Sequence, residues 1–253
     1  MTPLHTETVG AGPVVVLAHG FTQTGRLWGP FGEILARDHT LVRVDLPGHA
    51  GSGAVSADLV AAAGLVVDAV DGTEPFDLLG YSLGARVALH LAFARPDRVR
   101  RLVLIGGTAG IEDPEARRAR RLRDDALATE LEESHDLGGF LRRWLAGPMF
   151  SGLRDPGMNE RLRNTPGGLA SSLRMAGAGT YEPLWNHLGD LTPPVLALAG
   201  ADDPRYAGTG ARIARSVRHG VFSLVPGAGH AAHLAQPDLA ARMVTQFFSA
   251  MRK

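Results

Sequence analysis

A serine in a glycine-flanked turn is the first residue of this sequence that could do chemistry. Ser82 is the centre of the Gly-x-Ser-x-Gly pattern at residues 80–84, directly after an apolar run and before a helical pattern. In that context the pattern predicts a sharp strand-to-helix turn, because a Cβ at either flank would collide with neighbouring backbone. The turn would expose the hydroxyl beside a helix N-terminus, which favours developing negative charge. A capping serine in a glycine-rich turn is the alternative.

The base and the acid that such a serine needs follow later in the chain, in the order acid then histidine. Asp202 and Asp203 follow one apolar run, and His230 follows the next run after Gly-Ala-Gly. A histidine in such a loop has little reason to pack in a core, so we predict that His230 is the base. We favour Asp203 as the acid because Pro204 ends the turn after it, which leaves Asp202 as a solvated turn residue.

Backbone amides near Ser82 are candidates for stabilising negative charge. When a nucleophile lies at such a turn, the loop after an earlier strand supplies one amide and the residue after the nucleophile supplies the other. This pattern assigns the N–H groups of Phe21 and Leu83. His19 is predicted to hydrogen-bond the first of these loops and hold its shape, and a catalytic role is the alternative.

Short apolar runs alternate with helical patterns in both halves of the chain, which predicts an α/β fold with a mostly parallel sheet flanked by helices. The segment 4–9 is a candidate edge strand. The other predicted strands are 14–18, 41–45, 76–81, 102–105, 195–199 and 221–225. The predicted helices are 27–36, 57–70, 82–94 and 237–251. Open sheets of this kind bind ligands at the carboxyl ends of their strands, where the candidate residues lie.

The alternation stops between residues 111 and 190. Helical periodicity, many arginines and Gly/Pro breaks replace the apolar runs there. We therefore expect a core formed by residues 1–110 and 191–253, and a helical cap insertion formed by residues 111–190 over one end of the sheet.

Composition excludes several classes of protein. The 253 residues include 26 Lys+Arg and 26 Asp+Glu, so the formal net charge is zero and nucleic-acid binding is not expected. The absence of cysteine excludes disulfides, thiolate nucleophiles and metal–thiolate sites. His230 and His233 lack a third ligand for a metal, and Gly208-x-Gly210 lacks the rest of a dinucleotide-binding pattern.

Targeting and membrane signals are also missing from the sequence. No apolar run approaches the length of a transmembrane helix, and the first residues do not follow the pattern of a secretory signal. We expect a cytoplasmic protein that acts on a small molecule and makes no membrane contact. The sequence does not indicate an oligomeric state.

The motifs together resemble the α/β-hydrolase superfamily along nearly the whole chain. They are His-Gly-Phe at 19–21, Asp-Leu-Pro-Gly-His at 45–49, the serine turn at 80–84 and Ala-Gly-His at 228–230. This resemblance implies the α/β-hydrolase fold.

Within that superfamily the chain is similar to the MenH enzymes of menaquinone biosynthesis, which are 2-succinyl-6-hydroxy-2,4-cyclohexadiene-1-carboxylate synthases. The similarity lies in GYSLGARVAL at 80–89, WLAGPMF at 144–150 and LRN at 162–164. It implies a lyase that eliminates pyruvate from an enolpyruvyl cyclohexene tricarboxylate, with the triad acting as a base and no cofactor. One departure is the loop after His49, where Ala50-Gly51-Ser52 shifts the family's glycine and serine by one residue, so a changed loop shape is expected.

Arg86 tests this resemblance. A guanidinium in the first turns of an apolar helix opposes the helix dipole, and its burial without a partner would cost several kcal/mol. Arg86 lies four residues after Ser82 on the same helical face. An anion above the serine would account for it, because arginine binds carboxylates with two hydrogen bonds. Pairing with Asp77 or Asp113 is the alternative.

Further substrate contacts are expected from the insertion. The resemblance places Arg120 over the site and makes Arg117 and Arg163 further candidates, although each could instead belong to a solvated face paired with nearby acids. Trp144 and Tyr81 are predicted to wall the pocket, and helix packing is the alternative for Trp144. The expected ligand is a polycarboxylate.

Two other functions remain open from the sequence. A carboxylesterase or related serine hydrolase, in which Ser82 is acylated, would use the same triad and the same amides. A catalytically silent receptor or scaffold could share the fold, but the intact serine, aspartate and histidine argue against it.

Overall fold

The computed structural model describes residues 3–150, 153 and 157–250. Its first half alternates strands and helices: β1 (Thr6–Val9), β2 (Val14–Ala18), α1 (Gly29–Leu35), β3 (Thr40–Val44), α2 (Leu59–Asp68), β4 (Phe76–Tyr81), α3 (Leu83–Ala94) and β5 (Val99–Ile105). Four helices follow: α4 (Pro114–Ser134), α5 (Leu137–Leu145), α6 (Met158–Arg161) and α7 (Pro166–Ala176). The chain then forms β6 (Val195–Gly200), α8 (Pro204–Ser216), β7 (Gly220–Val225), α9 (Ala232–Ala235) and α10 (Pro237–Ala250).

The seven strands form one sheet in the order β1-β3-β2-β4-β5-β6-β7. β1 is antiparallel to β3, and the other neighbouring strands are parallel. Helices cover both faces: Leu78 of β4 packs in the cluster that contains α2 and α3, and Leu79 packs in the cluster that contains α1 and α10. The predicted fold class is thereby confirmed, and the continuous apolar strands are explained by burial on both faces.

β5 begins at Val99, three residues earlier than the strand predicted at 102. The missed residues include Arg100 and Arg101, which do not read as a buried strand. Both guanidiniums bind the buried carboxylate of Asp77 in β4, with Nε–Oδ1 distances of 3.1 Å from Arg100 and 2.7 Å from Arg101. An ion pair across neighbouring strands therefore replaces apolar contacts at this end of the sheet.

α8 has no counterpart in the predicted helices. Gly208 and Gly210 interrupt its sequence, and glycine lowers helix propensity by about 1 kcal/mol. Gly210 lies where α8 meets β7, and a Cβ there would come within 3.0 Å of the Phe222 ring. Tertiary packing thus overrides propensity. The last predicted helix ends at residue 251, which lies outside the described residues, and α10 is described to Ala250.

The segment between β5 and β6 is helical, and α4 packs against α7 within it. It has its own apolar cluster, formed by Ala128, Leu131, Phe140, Leu141, Leu169, Ala170 and Leu173. These helices therefore lie between β5 and β6 along the chain, while the two strands are neighbours in the sheet. In the part of the chain that the structure describes, no helix is both long enough and apolar enough to cross a membrane.

Candidate active site

Ser82 lies in a strained turn between β4 and α3. Its backbone has φ 52° and ψ −103°, in a region that non-glycine residues rarely adopt. A Cβ on Gly80 would overlap with the backbone of Gly84, and a Cβ on Gly84 would overlap with the backbone of Ala18. The two flanking glycines are therefore required by close backbone approach, and the turn directs the serine side chain to the carboxyl edge of the sheet.

The three residues predicted as a triad are joined by hydrogen bonds. Nε2 of His230 lies 3.0 Å from Oγ of Ser82, and Nδ1 of His230 lies 3.0 Å from Oδ2 of Asp203. The His230 side chain is 1% exposed. Asp202 is exposed and takes no part in this chain of hydrogen bonds among the described residues. The arrangement can transfer a proton from the serine to the imidazole.

Asp203 both caps α8 and orients the imidazole. Oδ1 accepts a hydrogen bond of 3.2 Å from the Tyr206 amide, while Oδ2 faces His230. Burial raises the pKa of Asp203, but the hydrogen bonds from His230 and Tyr206 outweigh it, so this pKa lies below its ordinary value. The carboxylate stays charged and fixes the proton on Nδ1, which leaves Nε2 to accept from Ser82.

Tyr206 is a neighbour of the triad that the sequence analysis missed. Its ring centroid lies 4.3 Å from that of His230, and the Tyr81 ring lies 5.3 Å from it. The two tyrosines thus flank the imidazole and restrict its orientation. In the sequence, Tyr206 stands three residues after an aspartate that caps a helix, which would place it beside the triad. That placement requires α8, and the sequence pattern does not predict α8.

A chamber of about 60 Å³ opens above Ser82. Phe21 and Leu83 both line it, as the assignment of the two amides requires. Within the described residues, neither of these backbone N–H groups donates to a protein acceptor. Both residues therefore border the chamber, and each has a backbone N–H group without a described protein acceptor.

Arg86 lines the same chamber and is buried. Its Nη1 atom donates a 2.6 Å hydrogen bond to the Ala176 carbonyl, and burial lowers the pKa of the guanidinium. No carboxylate of a described residue lies within 4.0 Å of it. The alternative partners are engaged elsewhere, because Asp77 binds the arginines of β5 and Asp113 caps α4. The buried charge thus faces the space above Ser82.

Of the three arginines predicted from the insertion, one lines the chamber. Arg120 does so while its Nε hydrogen-bonds both oxygens of Asp124, at 2.9 Å and 3.0 Å. Arg117 and Arg163 do not line it, which corrects the prediction for both. Arg117 binds Glu182 at 2.8 Å, and Arg163 binds a glutamate three residues earlier at 3.2 Å. The structure thus agrees with the alternative for these two arginines, in which each belongs to a solvated face and pairs with a nearby acid.

The two aromatic predictions have different outcomes. Trp144 lines the chamber and packs edge-to-face on Phe21, with ring centroids 5.3 Å apart. Tyr81 is 2% exposed and does not line it, which corrects that prediction. Successive residues of a strand face opposite sides of the sheet, so Tyr81 shares a face with Leu79. It packs on His233 instead, with centroids 4.4 Å apart.

His19 has the structural role that the sequence analysis favours. Its Nδ1 donates to the Gly20 carbonyl at 2.8 Å, and its Nε2 accepts from the Leu46 amide at 3.0 Å. Burial lowers the pKa of His19 to about 4, so the ring is neutral. The loop with the shifted glycine is bound by the segment between α6 and α7, where the Asn164 side chain accepts a hydrogen bond of 3.0 Å from the Ala50 amide. That loop does not line the chamber.

The other histidines near the site have structural surroundings. His233 is fully buried against Tyr81 and Trp28, and His90 hydrogen-bonds the Arg86 carbonyl at 2.8 Å. Across residues 3–150, 153 and 157–250, no group of three His, Asp or Glu side chains is placed to hold a metal ion.

The fold and the hydrogen-bonded serine, histidine and aspartate define an α/β-hydrolase. The model of the Alpha/beta hydrolase family matches residues 15–243. The chain therefore belongs to the alpha/beta hydrolase family, as its motifs predict.

Within that family the chain is similar to synthases of menaquinone biosynthesis. A Bacillus subtilis (strain 168) protein, provisionally named 2-succinyl-6-hydroxy-2,4-cyclohexadiene-1-carboxylate synthase, is 32% identical over 97% of this chain and 93% of its own length. The synthase of that name from Serratia proteamaculans (strain 568) is 30% identical over 93% of this chain and 92% of its own. The structure of MenH from S. aureus matches with a TM-score of 0.91 and 25% identity, over 100% of both chains. The predicted resemblance to MenH enzymes is confirmed.

Proposed function

We propose that the chain is a carbon–oxygen lyase that eliminates pyruvate from an enolpyruvyl cyclohexene tricarboxylate, as a 2-succinyl-6-hydroxy-2,4-cyclohexadiene-1-carboxylate synthase does. The observation that carries this proposal is the buried guanidinium of Arg86, which lines the chamber of Ser82 and has no described carboxylate within 4.0 Å. A carboxylate of the substrate would supply the missing counter-charge. A neutral ester has no group that would do so. The names of the similar synthases agree with this reaction.

The triad would act as a base. Asp203 holds the Nδ1 proton of His230, and Nε2 accepts the hydroxyl proton of Ser82. The serine oxygen then takes a proton from a carbon of the substrate ring. The electrons of that C–H bond form a new ring double bond as the C–O bond to the enolpyruvyl group breaks. The leaving group departs as the enolate of pyruvate, and it becomes pyruvate on protonation at carbon. Ser82 forms no covalent bond to the substrate.

Negative charge would build on the succinyl carbonyl oxygen as the ring proton leaves. The amides of Phe21 and Leu83 are suited to hold it, because both line the chamber and neither donates to a described acceptor. Arg86 would bind one carboxylate, and the Nη groups of Arg120 would bind another. Trp144 would form an apolar wall against the ring.

The rest of the proposal concerns organisation and location. Residues 1–110 and 191–253 would form the hydrolase core, and residues 111–190 would form a cap, since α4 and α7 supply part of the chamber lining. We place the protein in the cytoplasm, acting on a small polycarboxylate without a cofactor or metal. The balanced charge of the chain gives no reason to expect a nucleic-acid partner.

Pyruvate release by the purified protein tests this proposal. The tricarboxylate is supplied, and pyruvate is followed by coupling to lactate dehydrogenase and NADH oxidation. Wild-type protein should release pyruvate, and Ser82→Ala should lower the rate at least 10²-fold. Arg86→Gln should lower kcat/KM by a similar factor. Arg118→Gln, an exposed change on α4 outside the chamber lining, is the matched control and should retain activity.

The hydrolase alternative is tested with a neutral activated ester, p-nitrophenyl acetate. A burst of nitrophenol that matches the enzyme concentration, without pyruvate release from the tricarboxylate, would show acylation of Ser82 and overturn the lyase. Failure of both assays, with folded protein by circular dichroism, would instead favour the catalytically silent alternative.

A further inference from the structure

The chamber above Ser82 is too small for the proposed substrate. Its volume of about 60 Å³ is well below the range of about 300–1,000 Å³ for pockets that bind small organic ligands. A second cavity of about 540 Å³ lies on the other side of the triad and reaches Asp203 and His230. A ring compound with three carboxylates is larger than the chamber, and this outer cavity, which shares lining residues with the chamber and reaches the triad, offers room for the rest of it.

Three residues line both cavities and so form the boundary between them. They are Met149, Arg205 and Tyr206. Met149 is flexible and apolar, and Tyr206 is fixed by its contact with His230, whose ring centroid is 4.3 Å away. Of these three residues, Arg205 carries the positive charge. A substrate that spans the two cavities has to pass its guanidinium.

Arg205 is exposed and lies near enough to Asp203 for its charge to help lower the pKa of that carboxyl, but it is in ion-pair contact with no acid of a described residue. It is the second residue of α8, where the helix dipole presents partial positive charge. No carboxylate of a described residue lies within 4.0 Å of it, in contrast to Arg117, Arg120 and Arg163, which all have one. Its Cζ atom lies 5.7 Å from the Tyr206 ring centroid, so the ring supports the guanidinium beside the boundary.

We propose that Arg205 binds a further carboxylate of the substrate at this boundary, distinct from the carboxylates that Arg86 and Arg120 bind in the chamber. This inference rests on the proposed function, and it adds that two carboxylates of the substrate lie far enough apart to reach α3 and α8. The two arginines belong to different helices, and each approaches the ligand from one end. Binding at both ends adds to the affinity for a substrate that spans the two cavities.

Arg205→Gln tests this role, with Arg215→Gln as the matched control. Arg215 is exposed on the same helix and lines neither cavity. For pyruvate release from the tricarboxylate, Arg205→Gln should raise KM at least 10-fold and change kcat less than 3-fold. Arg215→Gln should leave both within 2-fold of wild type, and Arg205→Lys should recover part of the loss. The KM of Arg205→Gln should also depend less on NaCl between 50 and 300 mM than that of wild type.

The outcomes separate this inference from the proposed function. If wild-type protein releases pyruvate and Arg205→Gln has the same KM as Arg215→Gln, the role of Arg205 is wrong and the lyase stands. A kcat loss without a change in KM would also contradict it, because carboxylate binding at a distance from Ser82 acts on affinity. If wild-type protein releases no pyruvate, both proposals fall together.

Discussion

Nε2 of His230 lies 3.0 Å from Oγ of Ser82, although the two residues are 148 positions apart in the chain. Ser82 follows β4 and His230 follows β7, and these strands run in the same direction in one sheet. Their carboxyl ends therefore meet at one edge, and Asp203 joins them from the end of β6. Parallel topology thus assembles the proton relay from three distant segments.

Asp203→Asn should lower the rate of pyruvate release about 10²- to 10⁴-fold with little change in KM, because an amide no longer holds the proton on Nδ1 of His230. The measurement is kcat in the coupled pyruvate assay. Asp202→Asn is the control, since Asp202 is adjacent, exposed and outside the relay, and it should keep wild-type kcat. Equal losses in both variants would contradict the choice of Asp203.

The three triad residues could be predicted from the sequence more completely than the residues that line the chamber. Ser82, Asp203 and His230 each follow a strand within a few residues, so the strand pattern fixes where they meet. The outcome for Arg117 and Arg163 could not be foreseen in this way, because a helical arginine turns toward or away from a pocket by small rotations that periodicity does not resolve.

Two elements that the sequence pattern does not predict correctly, α8 and the start of β5, depend on contacts between distant residues. α8 contains two glycines and is held by packing on β7, so its residues Arg205 and Tyr206 could not be placed at the site from propensity. β5 starts at Val99 because Asp77 neutralises two arginines across the sheet, a contact that involves residues more than 20 positions apart. Long-range partners, which no local pattern contains, decided both cases.

Gly84→Ala should abolish activity and destabilise the fold, because the added Cβ would overlap with the backbone of Ala18 in the neighbouring strand. The backbone cannot yield without opening the turn that presents Ser82. Gly64→Ala in α2 is the matched control, since a Cβ there meets no atom within 4 Å, and it should stabilise by up to about 1 kcal/mol. Urea unfolding measures both. A Gly84→Ala protein as stable and active as wild type would contradict the steric account of the turn.

Asp77→Asn should lower the free energy of unfolding by about 3–5 kcal/mol, because it leaves the buried guanidinium of Arg101 without its counter-charge. Asp97→Asn is the control, since Asp97 pairs with Arg95 on the exposed surface and should leave the unfolding midpoint nearly unchanged. Urea denaturation at pH 7 checks both variants. Similar midpoints for the two would show that burial does not decide the strength of the Asp77 pair.

Three buried histidines should make stability fall as pH is lowered from about 6.5 to 4. Burial lowers the pKa of His19 to about 4 and, as the largest cause, lowers those of His49 and His233 to about 3. In the unfolded chain each histidine binds a proton below about pH 6.5, while the folded rings stay neutral. The unfolded state then binds more protons, so the free energy of unfolding decreases with falling pH through this window, on the order of 1 kcal/mol per histidine and pH unit.

Urea unfolding at pH 7, 6 and 5 measures this slope. His233→Phe should reduce it by the contribution of one histidine, because the phenyl ring keeps the aromatic contacts with Tyr81 and Trp28 and does not titrate. His187→Gln is the matched control, since the His187 side chain is 65% exposed and should leave the slope unchanged. If His233→Phe had the wild-type slope, His233 would make no contribution to the pH dependence. Burial would then not lower its pKa in the folded state. The slope is the decisive quantity, since the larger ring can itself shift the midpoint at every pH.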